Sequence, residues 1–135
     1  MTIPLYALIG FVFWTGLLVA AIGSLRIFQV ATSTQSPNGF DSGTRHGSDP
    51  YWRLNRAHMN CVENLPLFAA VVLVGAAIGA ASDTMDWLAR IYMIARVGQS
   101  LAHIASGSVL AVKIRFTFFC VQMVSLLWFG CLLVF

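Results

Sequence analysis

Charge is what this sequence has least of. Lys and Arg number 8, Asp and Glu number 5, and only 10% of the 135 residues are charged. A soluble domain carries about 25%. So few ions do not coat a water-facing surface, which excludes a soluble globular domain and a disordered chain. The net charge is +3, but the eight cations form no basic run. Nucleic acid is therefore not an expected partner. Cysteine is also scarce. Cys61, Cys120 and Cys131 are an odd number without C-x-x-C spacing. That argues against a disulfide framework and a zinc site, and no metal is expected.

Long apolar runs take the place of charge. The chain is 59% hydrophobic with a mean hydropathy of +0.80. The expected fold class is an all-α integral membrane protein, a bundle of four transmembrane helices with the lipid bilayer as its solvent. One domain over residues 1–135 contains spans at about 3–28, 53–81, 87–110 and 116–135. The first run has no Lys or Arg before Arg26, unlike a cleaved signal peptide, and reads as a retained span. Ala31 to Pro50 is the long loop, crowded with Ser, Thr, Asn, Gly and Pro. The third connection is expected near Val109–Arg115. Arg26, Arg45 and Arg53 flank loop one, Lys113 and Arg115 mark loop three, and Asp83 and Asp86 lie at the other end. By the positive-inside rule, loops one and three face the cytoplasm and both termini the opposite side. A compact chain without an organelle signal suits a bacterial inner membrane.

Ionisable groups inside spans are costly, about 2.5–3.5 kcal/mol each on insertion scales, and so become functional candidates. At about 100° per residue, Arg53, Arg56, Asn60 and Glu63 share one face of helix two, within about 80° of arc. Tyr92, Arg96, Gln99, His103 and Ser106 share a similar face of helix three. Both stripes lie toward loops one and three, so they are expected to meet, with Arg56, Glu63 and Arg96 forming a buried cluster. One Glu does not neutralise several arginines. Three readings are open at this point. The surplus of positive charge takes an anionic ligand, ideally one with carboxylates for guanidinium forks. Alternatively, Arg56–Glu63 is a structural ion pair while Arg53 and Arg96 snorkel to the interface. Or Glu63, Arg96 and His103 line an ion or proton path.

Arg56-Ala-His-Met-Asn60-Cys-Val-Glu63, continued as Asn64-Leu-Pro66-Leu-Phe68, resembles a known signature. It is R-A-x-x-N-x-x-E-x-x-P-x-F of the membrane-associated proteins in eicosanoid and glutathione metabolism, the MAPEG family. Ala95-Arg96 on helix three is a second, shorter match. The resemblance implies a homotrimer of four-helix subunits that binds glutathione between subunits, near the cytoplasmic face. It implies a glutathione transferase, with peroxidase activity open to it, acting on a hydrophobic small-molecule electrophile. Glutathione enters as co-substrate. Carried over by position, Arg56, Asn60 and Glu63 match directly, Arg53 lies one turn earlier, and Arg96 with Gln99 follows on helix three. Arg26 resembles the arginine that reaches into a neighbour's site. Arg115, or else Lys113, stands for the arginine that activates the thiol. His103 occupies a position where tyrosine is common; a histidine there either donates to a thiolate, stacks on the ligand, or is a bundle histidine hydrogen-bonded to a neighbour. The alternative the resemblance allows is a non-enzymatic membrane scaffold or glutathione-binding protein of the same fold.

Other residues read as packing. Cys61 is expected to be a small buried residue, and Pro66 to kink helix two. Gly75 and Gly79 form a G-x-x-x-G seam. Phe11, Phe13, Trp14, Phe118, Phe119 and Trp128 are expected to face lipid or the interface.

Overall fold

The computed structural model describes residues 1–41 and 43–135. Four helices follow one another: α1 (Ile3–Ala31), α2 (Asp49–Ala77), α3 (Asp83–Ala105) and α4 (Val109–Val134). Local chemistry sets their starts. Ser48, Ser82 and Ser108 are N-caps of α2, α3 and α4, accepting from the backbone N–H of Tyr51, Met85 and Ala111. Each cap satisfies one orphan donor of the first turn. Proline fills the opening turn of α1 and α2, where its missing N–H does no harm.

Ser108 corrects the sequence reading of the third connection. Lys113 and Arg115 suggested a loop reaching to residue 115, yet the cap starts α4 at Val109. The connection shrinks to 106–108, and both cations ride on the first two turns of α4. The fourth span therefore carries charge, and the third ends at Ala105 rather than near residue 110. The second span also starts earlier and ends earlier than expected, at Asp49 and Ala77.

α1, α2 and α4 are each long and apolar enough to cross a membrane. α3 is not, because Asp83, Asp86, Arg90 and Arg96 lower its hydropathy. Its place in the bundle accounts for one of these charges. α3 packs against all three other helices, whereas α1 and α4 do not meet among the described residues. Arg96 is buried among those neighbours, while Asp83 and Arg90 are exposed. Its 23 residues extend about 34 Å, enough for a hydrocarbon layer of about 30 Å.

The centre of the bundle is aromatic. Phe68 and Tyr92 stack with centroids 4.2 Å apart, and Phe11 leans on both at 6.2 and 6.1 Å. Phe11 is 0% exposed, so its expected place against lipid is wrong. It falls on the narrow stripe of α1 that meets α2 and α3, a stripe hidden by the uniform apolarity of that helix. Trp14 also turns inward, donating its indole N–H to Ser100 Oγ at 3.1 Å. Phe118 is half-buried against Gly98, while Phe13, Phe119 and Trp128 are exposed as expected. Cys61 is buried as expected. α2 runs through Pro66 without ending. The G-x-x-x-G seam divides: Gly75 packs on Leu133 and Phe129 of α4, and Gly79 (φ 69°) lies beyond the helix in a turn.

Candidate functional site

The start of α2, the end of α3 and the start of α4 enclose a cleft of about 730 Å³ at the loop-one end. Both polar stripes reach it at the same depth, as the sequence predicts. Arg53, Arg56 and Asn60 come from α2, Gln99 and His103 from α3, and Arg115 from α4. Trp52, Val112, Phe116 and Phe119 supply an apolar part of the wall.

Its electrostatics are one-sided. At the mouth, Arg45 is paired with Asp49, the only ion pair among the described residues. Arg53, Arg56 and Arg115 line the same cleft without an acidic partner among the described residues. Arg53 donates its Nε–H to the Ile104 carbonyl at 3.0 Å, closing the last turn of α3. A cation there also meets the negative end of the helix dipole. The Arg56 side chain is exposed and makes no hydrogen bond among the described residues. Arg115 is half-buried, and its Nη1 lies 2.8 Å from Nδ1 of His103. Asn60 Nδ2 lies 3.4 Å from the other ring nitrogen.

Below the cleft sits Arg96, 0% exposed. Its Nη1 donates to Gln99 Oε1 at 2.9 Å and to the Asn60 carbonyl at 3.2 Å. Its Nε and Nη2 are buried without a partner, and its guanidinium lies 5.4 Å from the centroid of Phe11. Gln99 passes the network on, donating to the Arg115 carbonyl at 3.2 Å and accepting from Gln122 at 3.2 Å. A guanidinium buried without a carboxylate is expensive. Neighbouring dipoles and one aromatic face offset part of that cost.

The structure thus brings Arg53, Arg56, Asn60, Arg96, Gln99, His103 and Arg115 together. It corrects the expected buried trio of Arg56, Glu63 and Arg96, in which only Arg96 is buried. Glu63 shares the helical face of Arg56 but is exposed and lies outside the cleft within a single chain. An Arg56–Glu63 ion pair is not formed, and Arg96 does not snorkel. Arg26 lies elsewhere, donating to the Tyr51 hydroxyl at 2.7 Å and resting on Phe40 at 5.1 Å. Lys113 is exposed and does not line the cleft, so Arg115 is the α4 cation of this site. Sequence reasoning missed Trp52, Arg45 and Gln122. Gln122, a polar residue amid the apolar run of α4, was the one legible signal among them.

A family model described as the MAPEG family matches residues 4–135, nearly the whole chain. Among curated proteins, none matches.

Proposed function

Because the chain belongs to the MAPEG family, we propose that this integral membrane protein is a glutathione transferase acting on lipophilic electrophiles. Reduction of peroxides is a second use of the same thiolate. One observation carries the reading: Arg53, Arg56 and Arg115 share a cleft with no free carboxylate among the described residues that line it. Glutathione supplies what the cleft lacks. It carries two carboxylates for the guanidinium forks of Arg53 and Arg56. Asn60 and Gln99 are placed to bond its peptide groups. Its thiol falls to the wall of α3 and α4, where His103 and Arg115 favour the thiolate. The thiolate is the nucleophile. The apolar wall of Val112, Phe116 and Phe119 continues onto the exposed face of α4, a path from bilayer to cleft.

A homotrimer belongs to the same proposal. Glu63 stands about 21 Å along α2, well inside the span, and is exposed in the single chain. A carboxylate at that depth needs cover and a cationic partner. A second copy supplies both, placing Glu63 and Arg26 at the boundary between subunits. Orientation follows from charge. Arg26, Arg53, Arg56 and Arg115 gather at the cleft end, while Asp83 and Asp86 lie beside the N-terminus at the other. Loops one and three then face the cytoplasm, of a bacterial inner membrane in this reading.

Glutathione added to the protein in detergent should bind saturably, raise its ultraviolet thiolate absorbance and support conjugation of an aryl halide. Saturable binding without thiolate would leave a scaffold or glutathione-binding protein of the same fold. No binding would end both readings.

A further inference from the structure

His103 stands between two donors. Arg115 Nη1 lies 2.8 Å from its Nδ1, and Asn60 Nδ2 lies 3.4 Å from its Nε2. A guanidinium has N–H groups and no acceptor. The Asn60 amide is fixed as well, since the same Nδ2 donates to the Arg56 carbonyl at 3.1 Å. Both neighbours therefore offer N–H to the ring. A neutral imidazole has one acceptor nitrogen and an imidazolium has none. The ring satisfies one neighbour only. The shorter, charge-assisted contact decides which: Nδ1 accepts from Arg115, and Nε2 carries the proton. That Nε2–H then faces an amide N–H and has no acceptor among the described residues. His103 is 8% exposed and lines the cleft beside Asn60. A nearly buried donor at a cleft wall calls for an acceptor from inside the cleft.

We propose that His103 meets the ligand's anionic sulfur through Nε2–H, and that Arg115 is a positioning residue that sets the ring's tautomer from behind. The sequence reading gave both residues a part at the thiol; the geometry separates the parts, with the ring in front and the guanidinium behind it. Arg115 Nη1 is taken by the ring, and in this proposal the hydrogen bond to the sulfur comes from His103. The proton lost by the thiol passes to water, and His103 keeps its own. The sulfur as acceptor rests on the glutathione reading, whereas the tautomer rests on the geometry alone.

Nitrogen-15 NMR of histidine-labelled protein separates the two. The chain has three histidines, and H103Q assigns the signal. Without glutathione, His103 should be the Nε2–H tautomer. R115K keeps a donor and should preserve it. R115M leaves Asn60 as the remaining donor and should turn the ring to Nδ1–H. With glutathione, H103F should lower the thiolate-to-thiol ratio at neutral pH roughly tenfold, the worth of one hydrogen bond to a charged group. Its affinity for S-methylglutathione, which has no thiol to ionise, should fall by a smaller factor. R115M should lose thiolate as H103F does, and R115K should recover it. A wild-type Nδ1–H or imidazolium ring overturns the proposal even if glutathione binds. So does an R115M protein that loses thiolate with the tautomer unchanged, because Arg115 then touches the sulfur directly. If S-methylglutathione does not bind the wild type, the glutathione reading and the sulfur acceptor fall together, whichever tautomer is found.

Discussion

Arg56→Ala should weaken glutathione binding by roughly 10- to 100-fold and leave the unfolding temperature of the free protein where it was. The two halves have separate causes. A guanidinium–carboxylate fork contributes about 1.5–3 kcal/mol, and each 1.4 kcal/mol is a factor of ten in Kd. In the free protein, however, the Arg56 side chain bonds to none of the described residues, and only its carbonyl is used, by Asn60 at 3.1 Å. Truncation therefore removes a group that holds the ligand and no group that holds the fold. Arg56→Lys should fall between wild type and alanine, because an ammonium keeps the charge and loses the planar fork. Calorimetric titration and thermal denaturation in the same detergent check both halves. A loss of binding accompanied by an equal loss of stability would mean that Arg56 holds the helix rather than the ligand.

Arg96→Met should have the opposite signature. A buried guanidinium with no carboxylate is a burden on the ligand-free fold, and an apolar side chain of similar length removes it. Replacing buried charges by apolar residues is often neutral or stabilising by about 1–4 kcal/mol. Taking the cation away from the ring of Phe11 offsets up to about 2 kcal/mol of that. The acceptors that Arg96 leaves behind are not orphaned. Gln99 Oε1 still accepts from Gln122 at 3.2 Å, and the Asn60 carbonyl from Asn64 at 2.8 Å. The free protein should therefore be as stable as wild type or more so, while the stabilisation conferred by a saturating anionic ligand should shrink. Chemical denaturation with and without glutathione reads both. Destabilisation of the order of 3–5 kcal/mol, the cost of breaking a matched buried pair, would show that the fold already satisfies Arg96.

How much of this was legible in the sequence depends on which physical signal each residue emits. The stripes of α2 and α3 were legible because polar residues at helical spacing stand out in an apolar chain. That spacing led the two stripes to meet at the loop-one end, though not through the expected trio of Arg56, Glu63 and Arg96. Exposure was not legible. Periodicity shows that Arg56 and Glu63 share a face, but not that both are exposed in one chain. Phe11 was misread for a related reason. In α1 nearly every residue is apolar, so no periodicity separates the side that meets Tyr92 from the side that meets lipid. Arg115 lines the cleft, while its local structure was misjudged. Two cations near a helix start look like a loop, and a single serine cap two turns earlier decides otherwise. The relay from Arg96 through Gln99 to Gln122 is tertiary and leaves no spacing to read.

The cleft account stands on anion recognition by unpaired arginines, and blocking the ligand's carboxylates tests it most directly. Glutathione and its diethyl ester share the peptide, the ammonium and the thiol, and differ in two negative charges. Titrated in parallel into the detergent-solubilised wild type, glutathione should bind and raise the unfolding temperature. The diester should bind at least about 100-fold more weakly, the worth of two charge-assisted hydrogen bonds. Equal affinity for the two compounds would contradict the account, since the arginines of this cleft would then have no part in holding the ligand.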